Sequence, residues 1–189
     1  MPRKDSGGVM KNRYIAGIDP IDSDTGTSLG NIWIFDTFHQ WFVAEYTGRP
    51  KFADDFYEIC RRLLLFYDAR ANYENNLKGL FTYFTQKNST YLLCDTPSFL
   101  YDKELVKKGG YGNTLKGTRA TPEVNAYARR LLRDWLLTDA HQIFQEYDDD
   151  YNIINKKLNM HTIKSIPFLE ELTVWNGDLN CDRVSGTVS

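Results

Sequence analysis

The chain has 189 residues, 42% hydrophobic and 14% aromatic, which suits one globular domain with a sizeable core and argues against disorder. The formal net charge is −2, and no apolar run approaches the roughly 20 residues of a membrane span. Cys60, Cys94 and Cys181 are odd in number and far apart, and no paired Cys/His spacing surrounds them. They fit buried thiols in a reducing compartment and argue against zinc, while His39, His141 and His161 read as surface residues.

The opening MPRKDSGGVMKNR lacks the apolar stretch of a secretory signal. It reads as a flexible lead-in, residues 1–13, to a single domain over 14–189. Tyr14–Asp19 is a first strand, followed by a polar turn through Gly30 in which Asp22 and Asp24 read as turn residues. Asn31–Asp36 and Trp41–Tyr46 are β-rich runs a few residues apart, an antiparallel hairpin that Gly48-Arg49-Pro50 ends. A helix follows, with Phe52, Phe56, Ile59, Cys60, Leu63 and Phe66 near the 3.6-residue period. Ala71–Glu74 is a short strand, Asn75 a helix cap, and Leu77, Leu80, Phe81 and Phe84 the apolar side of a second helix. Tyr91–Cys94 is another buried strand, closed by the turn Asp95-Thr96-Pro97.

From Tyr101 to Ala120 the periodicity fails and KKGGYGNTLKGTR reads as a long loop. Thr121-Pro122-Glu123 then starts a helix with a capping hydroxyl, a proline in the first turn and an early acid. Glu146–Asp150 is an acidic loop. Ile163–Trp175 is helical with Pro167 near its first turn, and Asp182–Val188 a final short helix. Phe81, Phe84, Trp135 and Trp175 read as core.

Three acids stand out: Asp19 closing YIAGID, Glu74 closing RANYE, and Asp182 opening DRVSGTV. The first two end runs that read as buried strands, so their side chains project at a sheet edge. Two carboxylates about 4 Å apart repel by roughly 4 kcal/mol at an effective dielectric near 20. Divalent cations or shared protons relieve that, so convergence of the three predicts a metal site. Between Lys103 and Asp134 eight basic residues face three acids, a local excess of five positive charges. Lys116 and Arg119, on the glycine-rich loop, are the candidates to grip phosphates without reading sequence.

The order of three strands, helix, strand, helix, strand and then helices is the layout of an α/β, ribonuclease H-like mixed β-sheet. About five core strands with an antiparallel opening would be flanked by helices. The segments GIDP (17–20), VAEYTGRP (43–50), DDFYEIC (54–60), YENN-x-KG (73–79), YLLCDTP (91–97), EVNAY (123–127) and N-x-DRVS (180–185) carry a family resemblance through their order and spacing. Together they resemble the C-terminal nuclease domain of the large terminase subunit of tailed bacteriophages, from about Tyr14 onward.

The resemblance implies a metal-dependent endonuclease that cuts concatemeric double-stranded DNA during genome packaging, with Asp19, Glu74 and Asp182 as catalytic metal ligands. It implies two Mg²⁺ or Mn²⁺ ions about 3.5–4 Å apart, bridged by Asp19, with Glu74 on one and Asp182 on the other. Implied partners are the terminase ATPase domain, the small terminase subunit and the portal protein, in the cytoplasm of an infected bacterium. GGYGNTLKG is no phosphate loop, because Leu115 and Gly117 stand where Gly and Ser/Thr belong. Another ribonuclease H-like nuclease, such as a junction resolvase, or a catalytically weak docking module for the packaging motor are the alternative expectations.

Overall fold

A computed structural model describes residues 4–5, 8–21, 23–76, 78–107, 116–175 and 184. It is α/β. At the start of the chain β1 (Lys4–Asp5) and β2 (Gly8–Val9) form a short antiparallel ribbon. The main sheet is built on β3 (Tyr14–Asp19), whose period-two pattern buries Tyr14, Ala16 and Ile18 on one face. Along one side β4 (Gly30–Asp36) runs antiparallel to it, with Tyr14 opposite Asp36 and Asp19 opposite Asn31. β5 (Trp41–Gly48) continues the hairpin, with a register shift between Ile34 and Phe35.

The chain then crosses over through α1 (Ala53–Tyr67), which allows β6 (Arg70–Tyr73) to pair parallel with β3. The strand order is β5-β4-β3-β6. Phe56, Cys60, Leu64 and Tyr67 fall on one side of α1 and are buried against the sheet. Asp24 Oδ1 accepts the Ala53 N–H (2.8 Å) at the start of that helix. At its end Asp68 takes a left-handed φ of 50°, and Ala69 N–H returns to Leu64 O (2.9 Å). α2 (Gly79–Gln86) adds Leu80, Tyr83 and Phe84 to the same core.

The opposite face of the sheet carries a second core. Trp33 and Phe42 meet Leu132 of α4 (Pro122–Leu136), Phe168 of α5 (Ile166–Val174), Ile163 and Val184. Thr121 Oγ1 caps α4 by accepting the Val124 N–H (3.3 Å), and Ser165 Oγ does the same for Phe168 N–H in α5. The sheet is therefore a wall with apolar packing on both sides. Among the described residues no helix is long and apolar enough to cross a membrane.

Several sequence expectations need correction. The main sheet has four strands among the described residues, rather than about five. Thr90–Leu92 is a 3-10 turn, because Leu92 and Leu93 N–H groups are spent on Ser89 O and Thr90 O. From this run a single parallel bridge, Leu93 to Ala71, reaches the sheet edge among the described residues. α3 (Ser98–Asp102) is a short helix that the sequence did not announce. The acidic stretch 146–150 opens a hairpin of β7 (Glu146–Tyr147) and β8 (Ile153–Asn155), turned by Asp148 Oδ1 accepting the Asp150 and Asn152 N–H groups. Phe81 is exposed, since the eight-residue α2 turns Leu80 and Phe84 inward instead. His39 is buried, drawn in by Asp36 and Arg13. The expected helix at Asp182–Val188 lies outside the described residues except for Val184.

Candidate functional site

The parallel register of β3 and β6 brings two of the three expected acids to adjoining positions. Ile18 pairs with Tyr73, Glu74 N–H donates to Ile18 O (3.3 Å), and Asp19 and Glu74 are the next residues along each chain. Neighbouring strands lie about 4.8 Å apart. Ile18 and Tyr73 both point into the α1 core, so alternation turns Asp19 and Glu74 to the other face, on which α4 and α5 pack. Both carboxylates are half-buried. Asp182, the third, lies outside the described residues, as do Asp22 and Asp178. Val184 is fully buried in the second core, and its N–H points at Glu171 Oε2 (3.4 Å).

Glu74 is set in a polar frame. Asn76 Nδ2 donates to Glu74 Oε1 (2.7 Å), and Thr118 bridges to Glu74 in parallel fashion. Thr118 N–H donates to Tyr73 O (2.8 Å), Asn75 N–H to Thr118 O (3.0 Å), and Asn75 Nδ2 to Lys116 O (2.8 Å). Asn75 thus ties two chain segments together instead of capping α2, whose N-cap is Lys78. The tie needs glycine at 117, where φ is +75° and a Cβ would meet Tyr73 O at 2.6 Å.

Lys116 Nζ is paired with Asp95 Oδ1 (2.8 Å), so Asp95 does more than end a turn. Arg119 is exposed, one residue beyond the Thr118 bridge. Burial pushes the Tyr73 phenol up to about 12 and also raises the Cys94 thiol, so neither adds an anion beside the acids at neutral pH.

The antiparallel side extends the row. Asn31 stands opposite Asp19, and Thr47 opposite Asn31, so Thr47, Asn31, Asp19 and Glu74 cross the sheet at one level and on one face. Asn31 is fully buried; its Nδ2 donates to Thr47 Oγ1, which donates to Glu45 Oε1 (2.7 Å). Asn31 Oδ1 has no partner among the described residues. Nor do those residues contain a group of three or more His, Cys, Asp or Glu placed to hold a metal ion; the adjoining pair Asp19 and Glu74 is what they supply. Hard oxygen donors of this kind suit Mg²⁺ or Mn²⁺ rather than softer metals.

No family model, curated protein or solved structure matches this chain.

A cleft of about 150 Å³ opens beside Glu74, lined by Asn72, Thr118, Phe99, Val124, Asn125 and Tyr127 among others. A larger groove of about 870 Å³ lies between α4 and α5, lined by Arg129, Arg130, Arg133 and apolar residues, with no carboxylate. Of the two adjoining acids, Glu74 lines the smaller one. Sequence reasoning missed Asn31, Glu45 and Thr47 as neighbours of the site. Their signal was the period of two: Ile32, Ile34, Ala44 and Tyr46 serve the α1 core, so Asn31, Glu45 and Thr47 must face the acids' side.

Proposed function

We propose that this chain is a divalent-metal-dependent DNA endonuclease with a ribonuclease H-like fold, acting as the nuclease domain of a tailed-phage terminase. The observation that carries the reading is the adjoining placement of Asp19 and Glu74 on the parallel pair β3–β6. Three antiparallel strands followed by one parallel to the first is the sheet that fold requires, and Leu93 marks where a fifth strand would lie. Val184 supports the third ligand, since it is anchored on the acids' face of the sheet only two residues after Asp182.

When bound, two Mg²⁺ or Mn²⁺ ions supply Lewis-acid stabilisation of a phosphodiester and an activated water. The chain's residues hold them. Asp19, between Asn31 and Glu74 in register, is the carboxylate that would be shared, with Glu74 as a second ligand and Asp182 as the third that the resemblance implies. Arg119 is the better candidate for a DNA phosphate, because Lys116 is already engaged by Asp95. The DNA is double-stranded and viral, and the motor domain, small subunit and portal are the partners of this reading.

The test is cleavage of supercoiled plasmid with Mn²⁺, Mg²⁺ or EDTA by the wild type, Asp19→Ala and Glu74→Ala. Nicking and linearisation that require metal, and fall to background in both variants, are the expected result. A folded wild type that shows no metal-dependent cutting with either metal at any salt concentration would sink the reading in favour of a docking module or a motor-dependent enzyme.

A further inference from the structure

We propose that Asn31 is a further oxygen donor of this site, its Oδ1 facing the divalent cation that Asp19 and Glu74 hold. The inference rests on the metal-dependent reading above and adds to it a residue that neither the acid pattern nor the resemblance pointed to.

The orientation of the amide follows from a short relay. The Thr47 hydroxyl has one proton, and it goes to Glu45 Oε1 (2.7 Å). Thr47 Oγ1 therefore offers Asn31 only lone pairs, and the amide must present its NH₂ group to β5. Its oxygen is then turned away from β5, in a residue that stands directly opposite Asp19.

That oxygen is fully buried and accepts nothing from the described residues. Buried acceptors are nearly always satisfied, and leucine would fill the same volume without the penalty. Instead, Thr47 and Glu45 are committed to keeping the oxygen in one direction. A neutral carbonyl-type oxygen is a common ligand of hard cations, and beside two carboxylates it adds a donor without adding a third repelling charge.

The experiment measures Mn²⁺ affinity, by the electron paramagnetic resonance signal of free Mn²⁺, on the whole chain without DNA. It compares wild type, Asp19→Ala, Asn31→Leu, Asn31→Asp and Thr47→Val, with circular dichroism to confirm folding. Asn31→Leu is expected to weaken binding by about tenfold or more, the scale seen when a supporting group is lost. Thr47→Val, which frees the amide to turn, shifts affinity in the same direction. Asn31→Asp tightens binding severalfold, although it adds charge repulsion to the metal-free state.

A carboxylate at 31 attracts a cation whether or not it coordinates, so the losses in Asn31→Leu and Thr47→Val decide the question. If Asp19→Ala abolishes binding while folded Asn31→Leu and Thr47→Val match wild type, Asn31 is not a donor and the nuclease reading survives. If wild type binds no Mn²⁺, or Asp19→Ala binds it unchanged, the metal site itself is wrong and the inference falls with it.

Discussion

Asp36 is, at the scale of one residue, the most committed carboxylate in the described chain. It sits at the far end of β4 from Asn31, and Arg13 Nη2 donates to its Oδ2 at 2.6 Å, with His39 Nδ1 at 3.0 Å. All three residues are buried. Burial pushes the Asp36 carboxyl up, but the hydrogen bonds from Arg13 and His39 outweigh it and hold the group below the usual range. The folded state thus binds this proton less tightly than the unfolded chain does. Its contribution is complete above about pH 4 and is lost as pH falls through the depressed folded value. Asp36→Asn should cost about 3–5 kcal/mol at neutral pH, because Arg13 is left buried without its counter-charge. Urea unfolding from pH 2.5 to 7 should show the gap between wild type and variant closing in acid; parallel curves would refute the linkage. Sequence alone marked Asp19 and Glu74, since a carboxylate ending a buried strand is locally conspicuous. It could not mark Asp36 or His39, whose burial depends on Arg13, 23 positions before Asp36.

At the scale of elements, the legible ones were those whose signals are local. Thr121-Pro122-Glu123 announced α4, and the structure starts the helix there, with the Thr121 hydroxyl accepting the Val124 N–H. Pro167 falls in the first turn of α5, as read. The Tyr91–Cys94 strand was misjudged because an apolar run of four cannot tell a sheet edge from a buried turn, and Ser89 and Thr90 carbonyls captured its N–H groups first. The β7–β8 hairpin was hidden for a related reason: its turn is made by an Asp148 side chain, and a run of acids reads as solvated loop. Since α4 walls both the cleft beside Glu74 and the second core, its cap has consequences beyond one helix end. Thr121→Ala should lower stability by about 1 kcal/mol. A shift of the urea midpoint at unchanged slope would register it, and no shift would mean that Pro122 alone fixes the start.

The whole molecule is a sheet with two unequal cores, and the acids lie on the side of the second. The first core, under α1 and α2, is assembled from 14–93 and holds the strands in register. The second joins Trp33 and Phe42 of the sheet to Leu132, Phe168 and Val184, which lie far along the chain. On the proposed reading its work is to bring the region of Asp182 to the face where Asp19 and Glu74 stand. The two cores can therefore be told apart by what they do to metal binding. Val184→Ala removes two buried carbons and should cost about 1.6 kcal/mol, at ~0.8 kcal/mol for each. Leu64→Ala in the first core should cost more, about 2–5 kcal/mol. Ligand stabilisation depends on affinity for the folded state, not on how stable that state is. The Mn²⁺-induced gain in unfolding free energy should thus be intact in Leu64→Ala and reduced in Val184→Ala, the milder lesion. Equal gains in both would mean that the second core packs the sheet without positioning the third acid.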